Sequence, residues 1–353
     1  MPDLRRVGLH PDFWYPLARS SDLAAGRTYA AMFAGNPIAL ARTERGEVFA
    51  LDDRCAHRQF PLHKGVVSGE TLRCAYHAWT YRADGCLAGV PYLAKGACRP
   101  QGVRAYPCSE RDGYVFVYTG DREKAAAVPP PTLPLVASPH HRTMHFWRRI
   151  ACHYSFMHEN LMDMNHQFLH RGIMGKIKPT LLDYESGPDW IEVRYRFQDS
   201  RGSKPDWRSR FMTLAGSDRR RRREGAAAAP SEKGDILTIR TQYPFQTLTF
   251  RRGDGDRPSF HLWAAYVPYD REQRTHLSVG ALSIERPRMP GLMRLGWPFI
   301  RRFTEAVFSE DRMAVEAEQR AYDNQGADWN QEVNPVIIAL RNVLIQNGVP
   351  VAG

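Results

Sequence analysis

The sequence has no long apolar run. Among its 353 residues, no window reaches the eighteen or so apolar residues that a membrane-spanning helix needs. The first residues, Met1-Pro-Asp-Leu-Arg-Arg-Val7, lack the apolar stretch of a secretory signal. We therefore expect no signal peptide, no membrane partner and a cytoplasmic location.

The sequence also lacks the distributed basic residues of a nucleic-acid-binding surface. Its net charge is +11, but five positive charges form the single run Arg219–Arg223, inside a stretch (218–234) with the composition of a mobile loop. Nucleic-acid binders spread basic residues along a helix or groove, interleaved with aromatic residues. We expect no nucleic-acid partner, and the positive charge leaves room for an acidic electron carrier or an anionic substrate.

The six cysteines do not indicate a disulfide framework. A chain of this length can bury a core without disulfides, and it shows no secretory signal. We expect reduced thiols, although an even number would also allow three disulfides. The cysteines are Cys55, Cys74, Cys86, Cys98, Cys108 and Cys152.

Two of these cysteines belong to paired Cys/His motifs. Cys55-Ala-His57 is a C-x-H motif, and Cys74-Ala-Tyr-His77 is a C-x-x-H motif. Thiolates favour zinc or iron–sulfur clusters, and imidazole suits both. Two cysteines and two histidines fit tetrahedral zinc, and they fit a Rieske 2Fe-2S cluster equally well. The spacing alone leaves both metals open.

A second group of metal-binding residue types follows about ninety residues later. We expect a helix from His153 to His170, on which His166 and His170 are i, i+4 neighbours and Asp163 shares their face. Two imidazoles at this spacing can bind one metal ion, and non-haem Fe(II) oxygenases complete such a pair with one carboxylate. Two histidines on a helix are otherwise commonly solvated or packed in a core.

The order of predicted elements indicates an α+β protein. Short strands dominate from about residue 20 to 121, and residues 124–135 have the Ala/Pro composition of a stiff linker. We predict an all-β domain with an N-terminal extension at 1–123, a linker at 124–135, and a larger domain at 136–353. The larger domain should contain an antiparallel sheet flanked by helices, with strands near 189–197, 236–243, 248–252 and 259–267 and helices near 289–322 and 335–345.

The two metal motifs together resemble the Rieske non-haem iron oxygenases. Cys55-Ala-His-Arg and Cys74-Ala-Tyr-His-Ala-Trp are similar to the Rieske box, and Asn160-x-x-Asp163-x-x-His166-x₃-His170 resembles the iron-binding helix. Phe308-Ser-Glu-Asp-Arg-Met-Ala-Val-Glu-Ala-Glu-Gln319 resembles the late helix that supplies a carboxylate. The resemblance covers nearly the whole chain and is closest in type to the compact single-subunit monooxygenases and demethylases.

The resemblance implies a role for each motif residue. The 2Fe-2S cluster would be held by Cys55, His57, Cys74 and His77. A mononuclear Fe(II) would be held by His166, His170 and Asp311. Glu310 and Asp323 are the alternative candidates for the carboxylate ligand. Asp163 would be the catalytic bridging carboxylate, in contact with His166 and with His77 of the neighbouring subunit in a homotrimer.

The implied function is that of a terminal oxygenase. It would use O2 to hydroxylate or oxidatively demethylate a hydrophobic or aromatic small molecule. Because the chain has no Gly-x-Gly-x-x-Gly motif after a strand, its electrons would come from a separate NAD(P)H-dependent reductase, directly or through a ferredoxin. Aromatic residues that could line the pocket, or belong to the core, are Trp190, Trp207, Phe211, Phe245, Phe250, Phe260, Trp263 and Tyr266.

Three positions depart from the family pattern. Ala56 stands where proline is frequent, and Gln59 and Ala78 stand where glycine is usual. We expect these departures to affect loop geometry and cluster potential. The alternative functions are a Rieske electron-transfer protein with an inactive second domain, an aromatic-ring dihydroxylating dioxygenase, and a zinc-stapled binding module.

Overall fold

The computed structural model describes residues 3–94, 97–175, 177–199, 235–253, 255–287, 289 and 291–351. The predicted mobile loop at 218–234, with Arg219–Arg223, lies outside the described residues. The chain divides into two compact units. The small unit comprises Gly8–Thr132, Val267–Leu277 and Pro350–Gly353, and the large unit comprises Met1–Val7, Leu133–Tyr266 and Ser278–Val349.

The described part of the small unit is built from strands and short 3-10 helices. The strands up to the linker are β1 (Val7–Gly8), β2 (Trp14–Arg19), β3 (Thr28–Phe33), β4 (Asn36–Arg42), β5 (Val48–Asp52), β6 (Val66–Ser68), β7 (Thr71–Arg73), β8 (Thr80–Arg82), β9 (Leu87–Gly89), β10 (Ala105–Tyr106), β11 (Cys108–Arg111) and β12 (Tyr114–Tyr118). Two four-stranded sheets have the orders β10-β5-β4-β3 and β6-β7-β8-β9, and a third sheet has the order β11-β12-β2.

Both Cys/His motifs pack on one apolar core, to which the β6–β9 sheet and the strands β4 and β5 contribute. Leu62, Leu72 and Tyr81 are fully buried in this core, and the thiols of Cys55 and Cys74 pack into it. Gly65 allows the two loops to approach each other, since a Cβ at this position would lie 2.5 Å from the carbonyl oxygen of Arg73. The cysteines of both metal motifs are therefore anchored in the core of the small unit.

The predicted linker contains some regular structure. Arg122–Ala127 forms a 3-10 helix, and the carboxylate of its N-cap Asp121 accepts a hydrogen bond from the backbone N–H of Glu123. Leu133, near the end of the predicted linker, is buried. The domain boundaries and the linker at 124–135 stay predictions.

The large unit has the predicted sheet flanked by helices. Its described elements are β13 (His141–Ile150), α1 (Tyr154–Met162), α2 (Arg171–Met174), β14 (Ile177–Ser186), β15 (Trp190–Asp199), β16 (Asp235–Gln242), β17 (Phe245–Arg251), β18 (Phe260–Pro268), β19 (His276–Glu285), α3 (Leu292–Gln325), α4 (Pro335–Asn347) and β20 (Val349–Pro350). The sheet has the strand order β13-β19-β18-β17-β16-β15-β14, and neighbours from β14 to β18 pair antiparallel. The predicted α+β class and the four predicted strands are confirmed.

The two late helices have clear end signals. Asn334 caps α4 by accepting a hydrogen bond from the backbone N–H of Val336, and Pro335 occupies the first turn. Helix α3 ends at Gly326, whose φ of 73° is the left-handed conformation of a C-terminal cap. Helix α4 packs on β15 and α1 packs on β16. Among the described residues, no helix combines the length and apolar composition needed to span a lipid bilayer.

The prediction of one continuous helix from His153 to His170 is wrong. Helix α1 ends at Met162, Asp163 is extended (φ −88°, ψ 98°), and Met164–Phe168 forms a 3-10 helix. The carboxylate of Asp163 accepts a hydrogen bond from the backbone N–H of Asn165 at 2.8 Å. Aspartate side chains compete in this way with helical backbone bonds, so Asp163 ends one helix and caps the next.

A buried ion-pair network anchors α1. Glu159 lies 2.6 Å from the guanidinium of Arg5 and 2.6 Å from that of Arg341. The Arg5 side chain is only 1% exposed, and its guanidinium lies 3.6 Å above the ring of Phe156. The carboxylate of Glu159, four residues before Asp163, thus neutralises two buried guanidinium groups.

We predict that Glu159→Gln destabilises the large unit. Removing the shared carboxylate leaves the buried Arg5 guanidinium without its counter-ion and leaves Arg341 with only the more distant Asp328, 3.8 Å away. The cost is about 3 kcal/mol, which corresponds to a fall in unfolding temperature of roughly 6–10 °C. Thermal unfolding followed by circular dichroism measures the change. Glu70→Gln, which removes an exposed pair with Arg45, is the control and should shift the temperature little. A Glu159→Gln protein that unfolds at the wild-type temperature would contradict the assignment.

Candidate metal centres

The two Cys/His loops of the small unit have the same backbone hydrogen-bond pattern. The N–H of Cys55 donates to the carbonyl of Phe60, and that of Cys74 donates to the carbonyl of Trp79. In each loop the residue four positions after the cysteine donates back to the cysteine carbonyl. These residues are Gln59 and Ala78, and both have a φ of 58°. The two loops are therefore local copies that need a left-handed residue at the same position.

The two sulfur atoms converge inside this frame. Cys55 and Cys74 are buried, and their thiols contact each other. The N–H of Ala56 donates to the Tyr81 hydroxyl at 2.9 Å, so that hydroxyl proton is free to point at the Cys55 sulfur, 3.1 Å away. Burial raises the pKa of the Cys74 thiol, while backbone N–H groups of Tyr76 and His77 donate to its sulfur and oppose this shift. Such donors stabilise thiolate ligands.

The two imidazoles of these loops also lie together. The ring centroids of His57 and His77 are 4.6 Å apart, and the His57 ring stacks on Trp79 with an interplanar angle of 3°. Desolvation, together with His57 and Arg58, lowers the pKa of His77, which favours the neutral, metal-binding form. Within the described chain, the buried Nδ1 atom of His57 has no hydrogen-bond partner.

This donor set fits a Rieske cluster. Two buried thiols and two adjacent imidazoles are the ligands that such a cluster takes, and an unpartnered buried nitrogen is costly unless a further group binds it. The structure therefore brings all four sequence-predicted ligands of this centre into one place.

The second centre lies in the large unit. Its three donors come from the 3-10 helix that follows Asp163, from the start of α2 and from the middle of α3. His166, His170 and Asp311 offer ligand atoms that all lie within 4.8 Å of one another. The Asp311 Oδ1 atom is 3.0 Å from His170 Nε2 and 3.7 Å from His166 Nε2.

These distances suit one metal ion. Metal–ligand bonds of about 2.1 Å place neighbouring ligand atoms of an octahedral site about 3 Å apart. Two histidines and one carboxylate on one side of an ion leave the opposite coordination positions open. The residues therefore fit a mononuclear non-haem Fe(II).

Each imidazole is oriented through its other nitrogen. His166 donates from Nδ1 to the backbone carbonyl of Asp163, and His170 donates from Nδ1 to the carboxylate of Glu310 at 2.8 Å. Both rings therefore present Nε2 to Asp311. Burial opposes protonation of His170, but the hydrogen bonds and charges of Asp311 and Glu310 outweigh it and raise the pKa of this histidine.

The structure separates the acidic candidates. Asp311 joins the two histidines, Glu310 contacts only the far nitrogen of His170, and Asp323 accepts a hydrogen bond from Gln319 instead. Asp163 meets His166 through its backbone carbonyl rather than its carboxylate. The orienting roles of Glu310 and Tyr81 were missed from the sequence. The adjacent acidic pair 310–311 was the available signal for Glu310.

Comparisons with known families decide what kind of protein carries these centres. Residues 13–107 match the Rieske [2Fe-2S] domain, and residues 150–346 match the vanillate O-demethylase oxygenase C-terminal domain. The second match alone spans more than half of the chain. The chain belongs to the Rieske oxygenase family.

Relatives that align over most of this oxygenase agree with that assignment. The oxygenase component of dicamba O-demethylase from Stenotrophomonas maltophilia is 34% identical, over 87% of this chain and 87% of its own length. The 4beta-methylsterol monooxygenase of Methylococcus capsulatus is 28% identical, over 97% of this chain and 89% of its own length.

The fold of this oxygenase matches solved structures of dicamba monooxygenase. Dicamba monooxygenase bound to dicamba superposes with a TM-score of 0.70 at 20% identity, over 96% of this chain and 97% of that one. A second structure of that enzyme, containing non-haem iron and dicamba, superposes with a TM-score of 0.68 at the same identity and coverage.

The predicted enzyme class and cofactors are confirmed at the level of the family. This oxygenase is an oxidoreductase that uses O2 to hydroxylate or oxidatively demethylate a small molecule. Its cofactors are a Rieske 2Fe-2S cluster and a mononuclear non-haem iron.

We predict that Ala78→Gly strengthens the second cluster loop. A non-glycine residue in the left-handed region costs about 1–2 kcal/mol, and glycine removes most of that cost. The temperature at which the visible absorption of the cluster disappears should rise by about 2–4 °C. Ala56→Gly is the control, because Ala56 is not left-handed and an added glycine there brings only flexibility. Equal shifts for both variants would contradict the strain argument.

We predict that Glu310→Gln weakens iron binding in the large unit. Losing the carboxylate that orients His170 should reduce iron affinity about 10–100-fold. Iron retained against a chelator, corrected for cluster iron through acid-labile sulfide, measures this independently of activity. Glu305→Gln, on the same helix and paired with Arg148 at the surface, should retain wild-type iron. If Glu310→Gln retains it too, Glu310 does not orient the ligand.

Proposed function

We propose that this oxygenase carries out monooxygenation at a methyl group of a hydrophobic small molecule. Two relatives that align over most of the chain are named for a 4β-methylsterol and for the O-demethylation of dicamba. The matched C-terminal domain is named for vanillate O-demethylase. Oxidation of a methyl C–H bond is the chemistry that these names share.

The convergence of His166, His170 and Asp311 is the observation that carries the proposal. We assign these three residues as the ligands of the mononuclear iron, bound through Nε2, Nε2 and a carboxylate oxygen. Iron bound there supplies the activation of O2. Glu310 and the Asp163 carbonyl keep both imidazoles in the tautomer that leaves Nε2 free.

Cys55, His57, Cys74 and His77 are the proposed ligands of the 2Fe-2S cluster. The Tyr81 hydroxyl and the backbone N–H groups at the sulfur atoms would favour the more negative, reduced state of the cluster. Beside His77, the side chain of Tyr76 is 55% exposed. This edge of the small unit is where electrons would enter or leave.

The protein partners follow from the electron requirement. Conversion of R–CH3, O2, two electrons and two protons into R–CH2OH and water requires an external electron donor. If the methyl group is bound to oxygen, the product is a hemiacetal that releases formaldehyde. We assign the donor as an NAD(P)H-dependent reductase, acting directly or through a ferredoxin, in the cytoplasm.

A homotrimer would give Asp163 its bridging role. One oxygen of its carboxylate accepts the Asn165 N–H and its carbonyl accepts the His166 ring N–H. The other carboxylate oxygen would accept a hydrogen bond from His77 of the neighbouring subunit. Asp163 would then connect the cluster of one chain to the iron site of the next.

The described aromatic residues named as possible pocket residues include several that pack against one another or are buried in the sheet of the large unit. Phe245 packs against Trp263 with ring centroids 5.1 Å apart, and Phe250 stacks on Phe260 at the same distance. Trp263 and Tyr266 are buried. Trp207 and Phe211 lie outside the described residues. The proposal of a hydrophobic substrate therefore rests on the substrates named for the relatives rather than on these aromatic residues.

Product analysis tests the function. The enzyme, with a surrogate reductase under ¹⁸O2, is given a 4-methylsterol, an aryl methyl ether and an unsubstituted arene. We expect one ¹⁸O atom in the hydroxymethyl product of the sterol, or formaldehyde formation from the ether. His166→Ala should lower turnover by at least about 100-fold while keeping the visible spectrum of the cluster, and the exposed His140→Ala should behave as wild type.

Three results would overturn the proposal. A product with two ¹⁸O atoms from the arene would favour a ring-dihydroxylating dioxygenase. Full turnover in His166→Ala would show that the oxidation does not use this iron site, and a cluster that is reduced without any oxygenated product would leave only an electron carrier. A colourless, zinc-containing protein would indicate a zinc-stapled module.

A further inference from the structure

The start of α3 exposes a row of large apolar side chains. Leu295 is 76% exposed, Phe299 is 64% exposed, and Leu292 is also exposed. At 3.6 residues per turn these three residues lie within an arc of about 60° on the helix. We call Leu292, Leu295 and Phe299 the apolar stripe. Met289, just before the helix, is exposed as well and extends it.

The apolar stripe is separate from the face that packs into the large unit. Met293 and Trp297 are buried against Met144, and Ile300 packs on the same cluster. This buried face is centred about 140° around the helix from the apolar stripe. Arg142 closes the edge of the buried face, with its guanidinium 4.2 Å above the Trp297 ring. The helix therefore has two distinct apolar faces, and only one is needed for the fold.

The polar arc between these faces is basic. Arg294, Arg301 and Arg302 are exposed, and none of them pairs with a carboxylate within the described chain. The one acidic residue in these turns, Glu305, is paired with Arg148. Further along α3 the charges are mixed, with Arg312 paired to Glu316. Arg302 lies about 50° around the helix from the centre of the apolar stripe, and Arg294 and Arg301 lie about 130–150° from it, on the polar face. The turns that carry the apolar stripe therefore also carry unneutralised positive charge on their polar face.

An exposed apolar row, with cationic residues on the polar face of the same turns, is the pattern of a helix that lies in a membrane interface. The apolar side chains enter the headgroup region, and arginines within about a Debye length are attracted by anionic lipids. A water-facing helix does not gain from three large exposed apolar residues on one side.

We propose that the apolar stripe of α3 docks this oxygenase on the surface of an anionic phospholipid bilayer. Hydrophobic methyl-bearing molecules would dissolve in such a bilayer, so docking would bring the enzyme to its substrate. This role of the docking rests on the proposed function. The docking itself does not depend on turnover. It departs from the expectation of no membrane partner, which was drawn from the lack of a spanning segment.

Vesicle flotation of the purified, cluster-containing protein tests the proposal. We expect binding to phosphatidylcholine vesicles that contain phosphatidylglycerol, weaker binding to phosphatidylcholine alone, and release by salt. Leu295→Ser/Phe299→Ser should reduce binding about tenfold or more, because two large apolar contacts with lipid are lost. Arg301→Gln/Arg302→Gln should reduce binding to the anionic vesicles and lower its salt sensitivity.

Matched controls separate docking from general damage. Val66→Ser/Val333→Ser removes two exposed apolar side chains elsewhere, and Arg320→Gln removes an exposed charge from the same helix. Both should bind as wild type. All variants should retain the cluster absorption and the wild-type unfolding temperature.

Three outcomes would overturn the proposal. They are wild-type protein that does not float with anionic vesicles, binding that survives Leu295→Ser/Phe299→Ser, and a change in oligomeric mass caused by that variant in light scattering. The last result would make the apolar stripe a contact between copies of the chain. Because no substrate is used, failure here leaves the proposed methyl oxidation intact.

Discussion

The large unit depends on the engagement of both ring nitrogens of His170 by consecutive residues of α3. Nδ1 donates to Glu310 and Nε2 faces Asp311, at 2.8 and 3.0 Å. This double contact ties the irregular segment after α1 to a helix that lies about 140 residues later in the chain. Because an imidazole is rigid and planar, fixing one nitrogen fixes the direction of the other. The proposed iron site is therefore a consequence of how α3 lies against this segment.

The break at Asp163 is part of the same constraint. A continuous helix would hold His166 and His170 one turn apart on a straight axis. The extended Asp163 and the following 3-10 helix instead give rings inclined by 89°, with both Nε2 atoms close to Asp311. The Glu159 network fixes the helix just before the break, so that the irregular geometry starts from a rigid base. In the small unit, by contrast, the proposed cluster ligands lie on two loops that share one backbone hydrogen-bond pattern.

Much of this arrangement follows from the sequence where ligands are close together in the chain. The Cys/His pairs, the His166/His170 spacing and most strands were predictable because each is a local pattern. The helix break was not, since the Asp163 side chain competes with the helix in a way that periodicity does not reveal. The choice between Glu310 and Asp311 depends on the rotation of α3, which long-range packing sets.

Gln59 and Ala78 were recognised as departures, but only the structure shows that both keep the left-handed conformation that glycine would supply. The Val267–Leu277 segment of the small unit was also missed, because its placement there is a long-range contact.

The central claim is that one chain holds two chemically different iron centres. The most direct measurement is the iron and acid-labile sulfide content of the purified protein and of Asp311→Ala, with electron paramagnetic resonance of the reduced samples. The account predicts three iron and two sulfide per wild-type chain. It also predicts the loss of one iron in Asp311→Ala, with the Rieske signal unchanged. Equal iron content in the two proteins, or loss of the cluster signal on changing Asp311, would contradict it.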